Sequence, residues 1–180
     1  MKHIRYLILF GVLAVATFIQ AQIPAKTHLI GGEFSQKTYD NNNQIFLRTK
    51  YAYFPLKNFS VGLNANFNLN RTIEKYYVNG GVNIKYYFPL KNDYLSVELF
   101  HTANYPIFAK QGSRQTFQDF VLSPAYSIKL KEHLLLEMAV PVTFSKNYFP
   151  TQNNEVKEIT GYSIGCTLGL QYFIFRKNGK

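Results

Sequence analysis

The chain has 180 residues, with 20 Lys and Arg against 10 Asp and Glu and a formal net charge of +10. This length allows one domain. Aromatic residues make up 17% of the chain, which excludes a disordered protein, because disordered segments are poor in aromatics. The single cysteine excludes a disulfide framework and a multi-cysteine zinc site.

Residues 1–21 are predicted to be a cleaved signal peptide. Lys2 and Arg5 precede a mostly apolar run of 14 residues over positions 6–19, which is too short for a spanning helix. Ala21 occupies the position before a plausible cleavage site. Residues 22–180 then form the exported domain. They contain no apolar run of about 18 residues, so the choice lies between a soluble exported protein and a transmembrane β-barrel.

Alternating apolar and polar residues predict eight long β-strands. From Phe59 to Leu69 every odd-numbered residue is apolar and every even-numbered one is polar or small. Because successive side chains on a strand point to opposite faces, one face of this strand is entirely apolar. Its length matches the roughly 9–11 residues that a tilted strand needs to cross a bilayer. The predicted strands cover residues 28–36, 44–54, 59–69, 77–88, 95–103, 120–130, 134–144 and 162–174.

The connections between these strands alternate in length. Tight turns are predicted at residues 55–58, 89–93 and 131–133, and longer polar loops at residues 37–43, 70–75, 104–114 and 145–158. Short turns at one end and long loops at the other are typical of bacterial outer-membrane barrels. The sequence KYAYFPLKN at residues 50–58 returns as KYYFPLKN at residues 85–92. We interpret this repeat as shared turn chemistry, since proline suits a turn that lacks a ladder N–H group.

Aromatic residues are concentrated at both ends of the predicted strands. Two aromatic belts around an apolar band are typical of barrels that span a membrane, whereas a soluble sandwich concentrates aromatics mid-strand. The belt near the turns is predicted to comprise Tyr51, Tyr53, Phe54, Phe59, Tyr86, Tyr87, Phe88, Tyr94, Tyr126 and Tyr172. The belt near the loops is predicted to comprise Phe67, Tyr76, Tyr77, Tyr105, Phe144, Tyr148 and Tyr162.

The polar faces of the strands predict a charge network inside the barrel. Eight strands enclose an interior that side chains fill, and charges removed from water need partners. We expect a salt-bridged plug, with a narrow gated ion path or a proton relay as the alternative. The predicted network comprises Glu33, Arg48, Lys50, Lys85, Glu98, Asp119, Lys129 and Glu137.

No catalytic, cofactor or metal site is predicted, and we expect the protein not to be an enzyme, with a small barrel enzyme that acts on lipids as the minor alternative. His28, His101 and His133 are isolated, and neither an HExxH nor a GxSxG motif occurs. Basic residues are scattered rather than clustered, which argues against nucleic acid as a partner. Lipid phosphates and lipopolysaccharide are the expected counter-charges, with a merely solvated loop surface as the alternative. The loop residues concerned are Lys110, Arg114, Lys146 and Lys157.

The last predicted strand resembles the signature by which the outer-membrane assembly machinery recognises its barrels. The residues that carry this resemblance are Thr167, Gly169, Tyr172 and Ile174. In the family this signature ends the chain, whereas here Phe175 and the sequence RKNGK follow it. Together with HLIGGEF at residues 28–34 and the KYYFPL turns, the chain resembles the small outer-membrane β-barrel family of Bacteroidota, which is similar to the OmpA-type membrane domain.

Strand pattern and resemblance together lead us to expect an all-β fold, an eight-stranded antiparallel up-and-down transmembrane β-barrel over residues 22–180. The resemblance implies an outer-membrane location, contact with outer-membrane lipids, lipopolysaccharide and the assembly machinery, and a monomer. A structural, adhesive or envelope-maintenance role is expected. The alternatives are a narrow gated channel or transporter, and a soluble exported lipocalin-like barrel that binds an apolar ligand.

Overall fold

The computed structural model describes residues 22–39, 42–70, 75–104, 116–150 and 156–175, so the predicted signal peptide lies outside the described residues. Within these ranges no helix has the length and apolar character needed to cross a membrane. The described residues form ten β-segments: β1 (His28–Tyr39), β2 (Asn42–Leu56), β3 (Phe59–Asn70), β4 (Lys75–Pro89), β5 (Tyr94–Asn104), β6 (Thr116–Lys131), β7 (Leu134–Ala139), β8 (Val142–Pro150), β9 (Val156–Ile164) and β10 (Cys166–Ile174).

The ten segments make eight barrel strands, because two strands are each interrupted once. Segments β7 and β8 keep one register along β6, with Ala125 facing Ala139 before the break and Leu122 facing Val142 after it. The break lies at Pro141, which has no N–H group to donate to a ladder. Segments β9 and β10 are interrupted at Gly165, whose N–H donates to the Pro141 carbonyl over 3.0 Å. The ladder therefore continues across both interruptions.

The sheet closes on itself as an antiparallel up-and-down barrel. Each strand pairs with its neighbours in the chain, and β1 closes the ring by pairing with both β2 and β10. His28, for example, faces Tyr53 on one side and Ile174 on the other. Within the described residues each of the eight barrel strands is paired on both sides, although the loop-side segment β9 pairs only with β8. The predicted fold class is thus confirmed.

Several strands run further than their apolar pattern indicates. The stretch 37–43, predicted as a loop, lies largely in the β1–β2 ladder, where Tyr39 faces Asn42. Likewise β8 continues to Pro150 and β9 begins at Val156, inside the predicted loop 145–158. These loop predictions were too long, because backbone pairing continues where the side chains are already polar. The three tight turns lie at the predicted places.

The barrel is apolar outside and polar inside. On β3, for instance, Leu63 and Phe67 are exposed on the outer face, whereas Asn64 and Asn66 are buried inside. Exposed large apolar side chains continue around the other strands in the same way. This polarity is the reverse of a water-soluble domain, which buries its large apolar side chains.

An apolar cluster closes the lumen at the turn end. The prediction that Phe54, Tyr87 and Tyr94 belong to the belt near the turns is wrong, because these side chains point inward and are buried. Phe54 has the same strand parity as the inward-facing Lys50, whereas the prediction had used only nearness to the turn. The whole cluster comprises Ile23, Leu29, Ala52, Phe54, Tyr87, Tyr94, Leu135 and Phe173.

Residues 22–27, here called the N-terminal crossing, cover this cluster from the turn side. Ile23 is buried, its N–H donates to Asn58 Oδ1 over 2.7 Å, and its carbonyl accepts from the Asn58 N–H over 3.1 Å. Lys26 donates its N–H to the Phe54 carbonyl over 2.7 Å. The crossing is therefore fixed to β2 and to the β2–β3 turn by hydrogen bonds, not by apolar contact alone.

Candidate functional site

Six buried charged side chains meet near the middle of the lumen, and we call them the charge cluster. They come from five strands, at inward-facing positions, and none of the side chains is more than 9% exposed. The barrel register brings partners together, since Glu33 faces Arg48 across the β1–β2 ladder and Lys85 faces Glu98 across the β4–β5 ladder. The charge cluster comprises Glu33, Arg48, Lys50, Lys85, Glu98 and Glu137. Three cations and three carboxylates make it formally neutral.

One end of the charge cluster is built around the Glu33 carboxylate. Its Oε2 accepts from Arg48 Nε over 2.8 Å and from Arg48 Nη2, so the guanidinium binds with two nitrogens. Its Oε1 accepts from Lys50 Nζ. The Arg48 guanidinium also lies 4.1 Å from the ring centroid of Phe100, a cation–π contact inside the lumen.

The other end is built around the Glu137 carboxylate. Its Oε2 accepts from Lys85 Nζ and from Ser127 Oγ, the latter over 2.9 Å. Lys50 Nζ lies 3.5 Å from Glu137 Oε1, so this single ammonium group contacts both ends of the cluster. Lys50 is therefore its central cation.

Glu98 lies between the two ends and shares three cations. Its Oε2 is 3.5 Å from Lys50 Nζ, 3.8 Å from Arg48 Nη2 and 3.9 Å from Lys85 Nζ. Its Oε1 accepts from Asn83 Nδ2 over 2.7 Å. Removing an ion from water costs several kcal/mol, and only close partners with further hydrogen bonds offset this cost. The cluster meets that requirement by sharing each carboxylate among several donors.

The three carboxylates of the charge cluster lie close enough together to ligate one cation. One oxygen from each of Glu33, Glu98 and Glu137 lies within 4.8 Å of the others, and hard cations prefer carboxylate oxygens. These oxygens, however, already contact Lys50, Lys85 and Arg48, which supply the compensating charge. A metal ion would have to displace ammonium groups, so the site as built favours ion pairs.

Two of the eight residues predicted for the network lie apart from the charge cluster. Asp119 lines a cavity on the loop side of the cluster. Lys129 is exposed near the turn end of β6, and its backbone N–H donates to Asp93 Oδ1 over 3.0 Å. The alternation along the strand predicts that both side chains face inward. It does not predict how high along the barrel axis each side chain lies, and therefore whether it is still inside the lumen.

The predicted assembly residues all lie on β10. Tyr172 and Ile174 face outward and are exposed, whereas Thr167 lines the loop-side cavity. Gly169 faces Glu33, and a Cβ atom there would lie 2.6 Å from Glu33 Cγ. The glycine thus has a packing role beside the charge cluster, and recognition by the assembly machinery stays a prediction.

Sequence reasoning missed several polar supports of the cluster. Asn83 and Ser127 lie on inward-facing positions, so strand parity was a signal that could have found them. The contact of Phe100 with Arg48 could not be predicted in this way, because an aromatic residue on the polar face of a strand only departs from the alternation of polar and apolar residues. The hydrogen bond from the Tyr87 hydroxyl to Gln171 Oε1, over 2.9 Å, crosses the lumen between the charge cluster and the apolar cluster.

On the loop side of the charge cluster lies a small cavity that opens towards the loops. Its lining is mixed: it includes the polar residues Ser35, Asn66, Asn79, Thr102 and Asp119 and the apolar residues Phe46, Phe100, Val121 and Pro141. The lumen is thus open and of mixed polarity on the loop side, filled by ion pairs at the charge cluster, and closed by apolar side chains at the turn end.

No protein-family model and no curated protein sequence matches the chain. Solved structures with a similar fold include the N-terminal β-barrel domain of Pseudomonas aeruginosa OprF, with a TM-score of 0.55 at 11% identity, covering 84% of this chain and 100% of that one. The outer membrane protein OprG from Pseudomonas aeruginosa gives a TM-score of 0.56 at 12% identity, covering 85% of this chain and 98% of that one. The chain shares their barrel fold. At these identities the likeness concerns the fold alone.

Proposed function

We propose that the protein is an integral outer-membrane β-barrel with a closed lumen and a structural, adhesive or envelope-maintenance role. The observation that carries the proposal is the reversed polarity of the barrel, with exposed large apolar side chains outside and neutralised charges inside. Strands β2 and β4 have 15 residues each, more than the roughly 9–11 that cross a bilayer. OprG, which has a similar fold, is itself an outer membrane protein, and this likeness supports the location.

The closed lumen favours a structural role over transport. Eight strands leave an interior just wide enough for side chains, and here the charge cluster and the apolar cluster fill it in series. Outer-membrane lipids, lipopolysaccharide and the assembly machinery are the proposed partners. We propose a monomer that uses neither cofactor nor nucleic acid.

A narrow gated channel is the second candidate, and the open cavity on the loop side, which reaches Glu33 and Arg48, favours it. Ions entering there would meet Arg48 and Lys50, whose ion pairs would have to rearrange before anything passed. A lipocalin-like role is less compatible with the fold. In the described interior the buried apolar cluster lies at the turn end, where its side chains already pack on one another.

Two measurements on the full chain test the proposal. Electrophoresis of boiled and unboiled samples in detergent is expected to give different mobilities, because a folded barrel stays compact without boiling. Identical mobility, together with solubility in the absence of detergent, would overturn the membrane assignment. Planar-bilayer recording is expected to show no steady current. A steady current would refute the closed lumen and favour the channel.

A further inference from the structure

Among the residues that the structure describes, five exposed lysines lie around the turn end of the barrel, and we call them the turn-end lysines. They are Lys26, Lys57, Lys91, Lys129 and Lys131. They come from the N-terminal crossing, from the β2–β3 and β4–β5 turns, and from the end of β6. The repeated FPLKN sequence explains part of this arrangement, because each copy contributes one lysine, Lys57 or Lys91, to a turn at this end.

The turn-end lysines have few protein partners. Among the described residues of this end only Asp93 and Glu132 are acidic. Asp93 is engaged elsewhere, since it accepts from the Tyr126 hydroxyl over 2.6 Å and from the Lys129 backbone N–H. Within the described part of the chain, none of the five ammonium groups forms an ion pair. A local excess of positive charge therefore faces outward at the turn end.

Apolar side chains accompany these charges on the outer surface. Leu56, which precedes Lys57, is 65% exposed. Tyr86 and Phe88 face outward on β4 just before Lys91, with their ring centroids 4.7 Å apart. Aromatic rings mark the level of the membrane interface in barrels of this kind. The lysines lie at or beyond that level, where lipid headgroups carry their phosphates.

We propose that the turn-end lysines form a docking rim for anionic glycerophospholipids in the leaflet at the turn end. The ammonium groups would contact headgroup phosphates while Leu56 and the outward aromatic rings contact the upper acyl chains. The matching chemistry is a negative headgroup on a two-chain lipid such as phosphatidylglycerol. This inference rests on the proposed membrane location, and it assigns a partner to the FPLKN repeat beyond turn formation.

Native mass spectrometry of the full chain in micelles tests the rim. The micelles contain phosphatidylglycerol and phosphatidylcholine in equal amounts with identical acyl chains, and the measured quantity is the ratio of the two lipids retained. We expect wild type to favour phosphatidylglycerol. The triple variant Lys57→Gln, Lys91→Gln, Lys131→Gln should lose that preference by about fivefold per lysine, as expected for cations at an anionic surface.

Two controls make the outcome specific. Replacing the same three lysines by arginine should keep the preference, and Glu132→Gln, which removes an exposed acidic side chain from the same end, should not lower it. An unchanged preference in the glutamine triple, or an equal loss in Glu132→Gln, would overturn the rim. In a second set of micelles, lipid A replaces phosphatidylglycerol. An equal loss of lipid A retention by the triple would also overturn the rim, because it would indicate a general affinity for phosphate. Should the triple not fold, the three single variants carry the same comparison.

The electrophoretic mobility of the unboiled sample distinguishes a failure of this inference from a failure of the proposed function. A heat-modifiable barrel without any preference for phosphatidylglycerol refutes the rim alone. Identical mobility with and without boiling refutes the membrane barrel, and the rim with it.

Discussion

Replacing Glu137 by glutamine removes one of the three carboxylates that neutralise the charge cluster. Glu137 accepts from Lys85 and Ser127 and lies 3.5 Å from Lys50 Nζ. After the substitution the cluster carries one unbalanced positive charge, and the nearest remaining carboxylate to Lys85 is that of Glu98 at 3.9 Å.

The expected cost follows from this geometry. Breaking a buried ion pair by removing one partner costs about 3–5 kcal/mol. Because Glu98 still lies within 4 Å of both lysines, we expect the lower end of that range, about 3 kcal/mol of unfolding free energy. Adding Lys85→Met restores neutrality, and we expect the double variant to recover at least half of the loss, since neutral replacements of buried pairs are well tolerated.

Urea unfolding in lipid vesicles, followed by circular dichroism and by mobility of unboiled samples, measures these differences. Glu132→Gln is the matched control, because that side chain is 80% exposed and its replacement should change stability by less than about 0.5 kcal/mol. Either of two results would show that the ion pairs of the cluster do not depend on one another. One is a Glu137→Gln variant as stable as wild type, and the other is a double variant less stable than Glu137→Gln.

Three smaller predictions use the same unfolding assay. Gly81→Ala should cost about 1–3 kcal/mol, because its Cβ would overlap a carbonyl oxygen of the neighbouring strand and lie 2.8 Å from a methyl carbon there. Gly80→Ala, with its nearest atom 3.9 Å away, should cost less than about 0.5 kcal/mol, and equal costs would contradict the packing argument. Asn58 has a φ of 60° and binds the N-terminal crossing, so Asn58→Ala should cost about 2 kcal/mol, whereas Asn58→Gly, which keeps the backbone freedom, should cost about 1 kcal/mol. The hydrogen bond from the Tyr126 hydroxyl lowers the pKa of Asp93 from its usual 3.8. The Asp93 carboxylate therefore stabilises the fold above about pH 4, and this effect is lost as the pH falls through the pKa that Asp93 has in the folded protein. The stability advantage of wild type over Asp93→Asn should accordingly shrink below about pH 4. A constant difference across that pH range would refute this assignment.

The strand plan could be predicted from sequence because it depends on a property that the sequence displays directly. Strict alternation, as from Phe59 to Leu69, records which face meets which environment, and the confirmed eight-stranded barrel follows from it. Strand ends were less accessible. At Tyr39 and Pro150 the backbone ladder continues among polar residues, where neither face shows a contrast.

The candidate site divides in the same way. Parity placed Glu33, Arg48 and Lys50 on inward-facing positions, and the structure brings them into contact. It could not give depth along the barrel axis, because depth depends on strand tilt and on the stagger between strands. For that reason Lys129 emerges at the turn end, and Phe54, expected in an outward belt, fills the lumen.

The central claim, that the apolar outer face meets lipid, can be tested at Cys166, the one cysteine of the chain. Cys166 is exposed at the start of β10, in the outward register with Leu168 and Leu170. A spin label attached there in reconstituted vesicles should be readily accessible to oxygen and shielded from a water-soluble nickel complex. A label more accessible to nickel than to oxygen would show that this face meets water, and it would contradict the membrane-spanning barrel.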